Sequence, residues 1–278
     1  MPDEHVFVIT GAAGGMGLAS ARALASEGQL LLTDVREEDL RTAERALAAQ
    51  GARVHTLRCD VTSEEDVAAV ADTVRSIGRF RALVHTAGLS PVMADGRRVL
   101  NVDLCGSVRI TDALFPLVEP GSSAVLVASI AGYNDVDPPL RALLDAPLAE
   151  GFFDEVERVL GQPVDGATAY MLAKYGVLRL AERLAAPWGG KGGRTVSISP
   201  GIIDTDMGRL ELEHQPMMPA MIEMTPVKRP GLALPGLPED IAAAVAFLVS
   251  DAAAFVSGCD LRVDGGLIGA GRSGGLGA

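Results

Sequence analysis

Tyr170 and Lys174 are four residues apart in the segment Ala-Tyr-Met-Leu-Ala-Lys-Tyr-Gly. Residues at positions i and i+4 share one face of a helix, so this spacing would place a phenol beside an ammonium group. At about 4 Å and an effective dielectric constant near 20, their Coulomb interaction is about 4 kcal/mol. An interaction of that size predicts a tyrosine pKa lowered to near neutrality, where a phenol can act as a general base. Taken alone, the pair could equally be a half-buried tyrosine and a solvated lysine, so its context matters.

A glycine-rich turn near the start of the chain is a candidate nucleotide site. The run Thr10-Gly-Ala-Ala-Gly-Gly-Met-Gly17 follows an apolar segment and precedes one rich in alanine and leucine. Glycines let the backbone approach a pyrophosphate at the N-terminus of the next helix, although a glycine cluster can also be an ordinary turn. Asp34 follows at the spacing expected of a carboxylate that binds the adenosine ribose, and it would repel a 2′-phosphate. The pattern favours NAD over NADP. NADP remains an alternative because Arg36 could bind its phosphate.

Composition argues against several other classes of protein. The formal net charge of −12 disfavours a nucleic-acid partner, which needs a cationic surface. We find no long uncharged apolar run and no basic-then-apolar start, so we expect a cytoplasmic protein that does not enter the membrane. The three cysteines and four histidines are scattered, which predicts neither a disulfide framework nor a metal site.

Apolar runs alternate with helical patterns along the whole chain. Strands are predicted at 5–10, 29–33, 54–58, 82–85, 124–128, 194–199 and 259–263, and helices at 15–27, 37–50, 167–186 and 239–250, with Thr62 or Ser63 capping another. This alternation predicts a parallel sheet covered by helices on both faces. No linker divides it, so we expect one domain spanning residues 1–278.

The motifs and their order resemble those of the short-chain dehydrogenase/reductase family over essentially the whole chain. The matching segments are the Thr-Gly-x-x-x-Gly-x-Gly turn, Asp60-Val61, Ala87-Gly88, Ser129, Tyr170 with Lys174, Pro200 to Thr205, Pro238 to Ala242 and Ser257 to Gly266. Each match is modest by itself. Together, in this order, they are specific.

This resemblance implies a doubly wound α/β Rossmann fold with strand order 3-2-1-4-5-6-7. It also implies an NAD(H)-dependent oxidoreductase that interconverts a secondary alcohol and a ketone, assembled as a dimer or tetramer. Ser129, Tyr170 and Lys174 would be catalytic, with Ser129 steadying the reacting oxygen and Tyr170 moving its proton. The cofactor would contact Gly11, Gly15, Met16, Gly17, Asp34, Asp60, Val61, Ala87, Gly88, Tyr170, Lys174, Pro200, Ile203 and Thr205.

Two short segments depart from the family pattern. Asp103 stands where the family has a catalytic asparagine, and Asn101 is two residues too early to replace it. An aspartate can still accept hydrogen bonds from an ordered water, so Asp103 either keeps a proton relay through Lys174 or has lost it. His85 and Thr86 also replace a pair of asparagines.

The spacing of the chain departs from the family as well. Ser129 and Tyr170 are much closer in the family, whereas the stretch 131–166 separates them here. Apolar residues at helical spacing in 140–144 and 152–160 predict a small helical insertion. This layout, together with the short connection from Gly88 to Asp103, resembles the bacterial 3α-hydroxysteroid dehydrogenase/carbonyl reductase group. The insertion could cover a face through which family members pair.

The segment 204–237 is predicted to be a substrate lid. It contains Met207, Met217, Met218, Met221 and Met224. Methionines adapt to irregular apolar surfaces, which suggests a bulky apolar substrate of the steroid or terpenoid kind, or else ordinary lid packing or a subunit contact. Alternatives to an NAD-dependent dehydrogenase are an epimerase, a dehydratase, an NADP-dependent carbonyl reductase and a non-catalytic dinucleotide sensor. The intact serine, tyrosine and lysine argue against the sensor.

Overall fold

A seven-stranded parallel sheet organises the chain, in a computed structural model that describes residues 4–273. Its strands are β1 (His5–Thr10), β2 (Gln29–Asp34), β3 (Arg53–Arg58), β4 (Arg79–His85), β5 (Ser123–Val127), β6 (Arg194–Pro200) and β7 (Cys259–Val263). The spatial order is β3-β2-β1-β4-β5-β6-β7, which confirms the predicted fold class. Because the order reverses between β1 and β4, a ligand crevice is expected at the carboxyl ends of these strands.

Helices cover both faces of the sheet. They are α1 (Gly15–Leu24), α2 (Glu37–Ala48), α3 (Glu64–Ile77), α4 (Gly96–Leu100), α5 (Gly106–Leu114), α6 (Pro138–Leu144), α7 (Phe152–Leu160), α8 (Gly166–Gly189), α9 (Asp206–His214), α10 (Met218–Met224), α11 (Pro238–Val249) and α12 (Leu267–Arg272). Helices α1, α2 and α11 pack on one face, and α3, α4, α5 and α8 on the other. Within residues 4–273, none of the helices is both long enough and apolar enough to cross a membrane.

The central strands contribute to an apolar core on each side of the sheet. In β1, Val6 and Val8 pack under α3, α5 and α8, whereas Phe7 and Ile9 pack under α1 and α11. Successive side chains of a strand point to opposite faces, so a strand buried on both sides is apolar at nearly every position. The short, continuously apolar runs of the sequence therefore mark the strands at the centre of the sheet.

An irregular helix brings Asp103 into the interior. Helices α4 and α5 are joined without a break by the π-helical segment Asn101–Cys105, which the sequence analysis does not predict. A π turn closes a wider hydrogen-bonded ring and changes the direction of the side chains around it, and such turns are frequent at functional sites. Asp103 is 1% exposed at the centre of this segment.

The segment predicted as an insertion contains α6 and α7, and salt bridges connect it to α8. Asp145 pairs with Arg179 through two hydrogen bonds of 2.8 and 2.7 Å and also contacts Arg183. Cys105 donates a hydrogen bond to the Pro147 carbonyl at 3.3 Å. The insertion therefore lies against α8 and the π-helical segment that precedes α5.

The segment predicted as a lid also contains two helices, α9 and α10. The hydroxyl of Thr205 caps α9 by accepting a hydrogen bond from the amide of Gly208 at 3.0 Å. An apolar cluster joins the lid to the rest of the domain and contains Ile130, Ile202, Met218, Leu234 and Leu267. Through the Thr205 cap, the start of α9 is fixed beside the glycine turn.

Candidate active site

The glycine turn lies at the carboxyl end of β1. Gly11 has φ +65°, in the region that favours glycine, and a Cβ atom there would lie 2.7 Å from the Ala87 amide nitrogen. A Cβ atom on Gly15 would lie 2.8 Å from a methyl carbon of Thr205. The turn therefore depends on glycine on both sides, where it meets β4 and where it meets the lid.

A cleft of about 380 Å³ opens above this turn. Of the residues predicted to bind the cofactor, it is lined by Gly11, Gly15, Met16, Gly17, Asp34, Asp60, Val61, Ala87, Gly88 and Thr205. Pro200, Ile203, Tyr170 and Lys174 do not line it: Pro200 is buried at the end of β6, Ile203 packs into the core, and Tyr170 and Lys174 lie on α8. A glycine floor beside a helix N-terminus, with a carboxylate at the far end, fits a dinucleotide.

Asp34 lies at the far end of the cleft, and backbone amides hold its carboxylate in a fixed position. Its Oδ2 atom accepts a hydrogen bond from the Ala13 amide at 3.2 Å, and Oδ1 accepts one from the Arg36 amide at 3.1 Å. The Asp34 side chain is 7% exposed and the Arg36 side chain 53%. Arg36 also pairs with Asp39 at 3.0 Å, so its charge is shared between two carboxylates.

Asp60 and Val61 form the wall of the cleft next to α4. The Oδ1 atom of Asp60 accepts hydrogen bonds from the amide and hydroxyl of Thr62 at 2.9 and 2.7 Å, and Oδ2 lies 3.4 Å from Arg98. Partial burial would raise the pKa of Asp60, but these contacts outweigh it and lower the pKa. Val61 is buried against Gly106 at the start of α5.

His85 and Thr86, the replaced pair, connect the strands to the helix that carries Asp103. His85 Nδ1 lies 2.7 Å from the Thr10 hydroxyl, and Nε2 lies 2.9 Å from the hydroxyl of Ser107, which in turn donates to the Asp103 carbonyl. Burial and the charge of Lys174 lower the pKa of His85 to about 3, so the ring is neutral. Both ring nitrogens of His85 have a hydrogen-bond partner when the Thr10 hydroxyl donates to Nδ1 and Nε2–H donates to the Ser107 hydroxyl.

Ser129, Tyr170 and Lys174 come together beyond the cleft floor. Lys174 Nζ lies 5.4 Å from the centre of the Tyr170 ring, which confirms that the two side chains share a face of α8. Nζ also donates to the Val127 carbonyl at 3.3 Å. Ser129 follows β5 and accepts a hydrogen bond from the Ala131 amide, and it is one of the groups that lower the pKa of Tyr170.

Asp103 completes this group as the counterion of Lys174. Its Oδ2 atom lies 3.2 Å from Nζ, and Oδ1 accepts a hydrogen bond from the Leu89 amide at 2.7 Å. Burial alone would lower the pKa of Lys174, but Asp103 reverses this and raises it. A Cβ atom on Gly88 would lie 3.3 Å from Asp103 Oδ2 and 3.4 Å from Nζ, so the pair faces the cleft through this glycine.

The predicted pKa of Tyr170 is wrong in direction. Burial is the strongest influence and raises the pKa of the phenol. Lys174 lowers it, as the spacing predicts, but by less, and Glu211 raises it again. Sequence spacing indicated the neighbouring ammonium group. It indicated neither the depth of the site nor the two carboxylates that oppose the lysine.

Glu211 is the acidic neighbour that the sequence analysis missed. It lies on α9, and Ser90, which is fully buried, lowers the pKa of its carboxyl group. Burial nevertheless raises the pKa of Glu211. In the sequence, only its position four residues after Met207 could have indicated that Glu211 shares a helix face with that residue. This spacing is informative only once α9 is known to be a helix.

The lid methionines have three different environments. Met207 lines the cleft. Met218, Met221 and Met224 instead pack in the cluster that anchors the lid, and Met217 is 65% exposed. Most of the methionine pattern is therefore lid packing, the alternative that the sequence left open.

Two family models match the chain. One, described as short chain dehydrogenase, matches residues 5–138, and the other, described as enoyl-(acyl carrier protein) reductase, matches residues 159–268. Between them they include the glycine turn, Ser129, Tyr170 and Lys174.

Similar proteins of known name include two bacterial dehydrogenases. Cis-4-hydroxycyclohexanecarboxylate dehydrogenase of Sinomonas cyclohexanicum is 33% identical over 95% of this chain and 96% of its own. D-threitol dehydrogenase of Mycolicibacterium smegmatis is 31% identical over 95% and 93%. Among solved structures, 7α-hydroxysteroid dehydrogenase complexed with NADH and 7-oxo glycochenodeoxycholic acid aligns with a TM-score of 0.76 and 26% identity, over 95% of this chain and 94% of that one.

Proposed function

The chain belongs to the short-chain dehydrogenase/reductase family, and we propose that it uses NAD(H) to interconvert a secondary alcohol and a ketone. Its class is an oxidoreductase that acts on CH–OH groups with a nicotinamide dinucleotide. The cofactor preference, the substrate and the roles of single residues belong to the proposal. The observation that carries it is the grouping of Ser129, Tyr170 and Lys174 beside the glycine cleft.

Each member of that group has a task in the proposed reaction. Ser129 hydrogen-bonds the reacting oxygen and steadies its charge, and Tyr170 takes the proton of the alcohol or returns it to the ketone. Lys174 carries the positive charge that opposes the effect of burial on Tyr170. Asp103 keeps Lys174 protonated and in place. The nicotinamide, when bound, supplies the hydride acceptor or donor.

Support for NAD over NADP comes from Asp34. Its carboxylate is fixed by two backbone amides and cannot easily turn away from a ligand. A 2′-phosphate near it would meet a negative charge, and the closest cation, Arg36, is already shared with Asp39. An NADP-dependent carbonyl reductase is the alternative, and a direct titration with NADH and NADPH distinguishes the two.

For the substrate we propose a bulky apolar alcohol of the steroid or terpenoid kind. Met207, Leu210, Met93 and Leu89 give the cleft apolar walls on the lid side and opposite it, which supports this class. Because most lid methionines pack inwards, the support comes from these four residues and not from the methionine count.

We also propose a homo-oligomer, a dimer or tetramer. Near α11 and β7, Phe255 is fully exposed, and Phe247 and Leu261 are 45% and 37% exposed. Exposed apolar patches of this kind often mark protein contacts. Light scattering after size exclusion tests this, and a monomer at micromolar concentration would refute it.

A panel of secondary alcohols with NAD, followed by the absorbance of NADH, tests the proposed function. The panel contains D-threitol, cyclohexanol, a hydroxysteroid and a terpenoid alcohol, each repeated with NADP. We expect turnover of at least one apolar alcohol with NAD and much weaker turnover with NADP. Tight binding of NADH without turnover of any alcohol or ketone would favour the dinucleotide sensor.

A further inference from the structure

A second cavity, of about 340 Å³, lies under the insertion. One wall is formed by α4, the π-helical segment and α5, and the other by residues 147–149 and 151–154 of the insertion. The thiol of Cys105 donates a hydrogen bond to the carbonyl of Pro147 at 3.3 Å, which joins the two walls. This cavity has no lining residue in common with the cofactor cleft, so it is a separate site.

Arg109 lines this cavity and forms no ion pair within residues 4–273. Its Nη1 atom donates a hydrogen bond at 3.0 Å to the side-chain oxygen of Asn101, which is a neutral acceptor. Its Nε atom is buried and has no hydrogen-bond partner in the described part of the chain. Buried donors are almost always paired in proteins, and a guanidinium group binds a carboxylate through two parallel hydrogen bonds. Arg109 therefore has both the charge and the donors to hold an anion in the cavity.

Arg97, the other cation that lines the cavity, already has its counterions. It donates to Asp154 at 2.7 Å and to Glu157 at 3.0 Å. Asp154 also lines the cavity, but its side chain is 74% exposed and solvent screens its charge. The thiol of Cys105 stays neutral, because burial raises its pKa to about 11. Arg109 is therefore the charged group of this cavity that remains available to a ligand.

Most of the other lining side chains are apolar. They include Pro147, Leu148, Phe152 and Phe153. The two phenylalanine rings meet edge to face, with their centres 5.2 Å apart. Small-molecule sites are typically cavities of roughly 300–1,000 Å³ in which apolar walls surround a few polar groups that fix the ligand's orientation. Walls of this kind favour a ligand with an apolar body over a small hydrated ion such as phosphate.

We propose that this cavity binds an organic carboxylate, whose charge pairs with Arg109 and whose apolar body packs against the insertion. The site lies next to the segment that carries Asp103, because Asn101, the neutral partner of Arg109, is the first residue of that segment. The inference does not depend on the proposed function, since the cavity lies outside the cofactor cleft.

Calorimetry on the full-length protein at neutral pH tests this site with three probes, which are 3-phenylpropanoate, its primary amide and inorganic phosphate. The acid and the amide have nearly the same shape and differ by one charge. Hydrogen bonds between charged groups predict that the wild type binds the acid more tightly than the amide, by at least about tenfold. Phosphate lacks the apolar body and should bind more weakly than the acid.

Arg109→Gln should abolish the preference for the acid, because it removes the charge and keeps a polar side chain. Arg22→Gln is the matched control, since it removes the same charge from an exposed position of α1, on the opposite face of the sheet, and should leave the ratio of affinities unchanged. Asn101→Asp gives a second measure should the Arg109 variant fold poorly. It keeps the shape of Asn101 and gives Arg109 a carboxylate partner within the protein, so the acid should again lose its advantage.

Three results would overturn the carboxylate site. They are equal binding of acid and amide by the wild type, no binding of the acid at millimolar concentration, and the same ratio of affinities in the Arg109→Gln and Arg22→Gln variants. Phosphate that binds as tightly as the acid would overturn the organic ligand. Absence of turnover with every alcohol would overturn the proposed function, and the ratio of affinities would still decide this inference.

Discussion

Two ion pairs at the carboxyl end of the sheet differ in how much water reaches them. At the nucleotide end, Asp34 is 7% exposed and its partner Arg36 is 53% exposed. At the reaction end, Asp103 is fully buried and Lys174 is 7% exposed. A charge pair with one solvated member is adjustable and weak, whereas a dry pair is costly to break.

The contrast explains why the two ends can serve different tasks. Asp34 has to present a carboxylate to a ligand that comes and goes, and backbone amides hold it ready. Lys174 has to stay charged inside the protein, and the buried carboxylate of Asp103 at 3.2 Å is the strongest of the influences that oppose the effect of burial on its pKa. The nucleotide end depends on local geometry, and the reaction end on the balance of buried charges.

Breaking the dry pair should have the largest effect on stability. Asp103→Ala leaves Lys174 charged and unpaired and removes the acceptor of the Leu89 amide. We expect a loss of about 3–5 kcal/mol in the free energy of unfolding, measured by urea denaturation. Asp103→Asn removes the same charge but keeps an oxygen that can accept the Leu89 amide, so the difference between the two variants measures that hydrogen bond and not the ion pair. A loss below about 1 kcal/mol in the alanine variant would mean that the pair is not as dry as described.

The partly solvated pair of Asp34 and Arg36 should affect the affinity for NADH and have little effect on the free energy of unfolding. Asp34→Asn removes the charge that supports the preference for NAD, and we expect NADH affinity to fall by about 10- to 100-fold while the preference over NADPH narrows. Fluorescence titration with both cofactors measures this. Asp39→Asn also releases Arg36 but lies outside the cleft, and it should change NADH affinity little. Equal losses in the two variants would assign the effect to Arg36 instead.

The pH dependence of turnover sharpens the comparison further. Because burial raises the pKa of Tyr170, alcohol oxidation, which needs the phenolate, should speed up as the pH rises through neutral into the alkaline range. Ketone reduction needs the neutral phenol and should fall only as the pH passes that raised pKa. Glu211→Gln removes one of the influences that raise it, so the rising limb of oxidation should move to lower pH. A wild-type oxidation profile that is flat from neutral pH upwards would contradict this.

Much of the fold could be predicted from sequence because the features involved are local. Buried parallel strands are short apolar runs, and the order of the sheet follows from the family motifs. Ser63 caps α3 as one of the two predicted residues, and α6 and α7 lie where helical spacing places them. The π-helical segment around Asp103 was not predicted, because it depends on packing against α8 and not on the preferences of its own residues.

The residues of the site could also be predicted from sequence. Their pKa values could not. Tyr170 and Lys174 share a face, as their spacing predicts. The pKa of Tyr170 is set by burial, by Lys174 and by Glu211, and Glu211 lies far from it in the sequence. Such interactions arise only when distant segments come together in the fold, so no pattern within one segment contains them. The same reason explains why most lid methionines pack inwards.

The most direct test of the central claim is the variant Tyr170→Phe, which removes one hydroxyl and keeps the ring. Its NADH affinity and its turnover of the best alcohol are measured side by side with those of the wild type. We expect affinity within a few-fold of the wild type and turnover lower by at least about 10²- to 10⁴-fold, because the proton has lost its acceptor. Turnover within tenfold of the wild type, with NADH binding intact, would show that another group moves the proton.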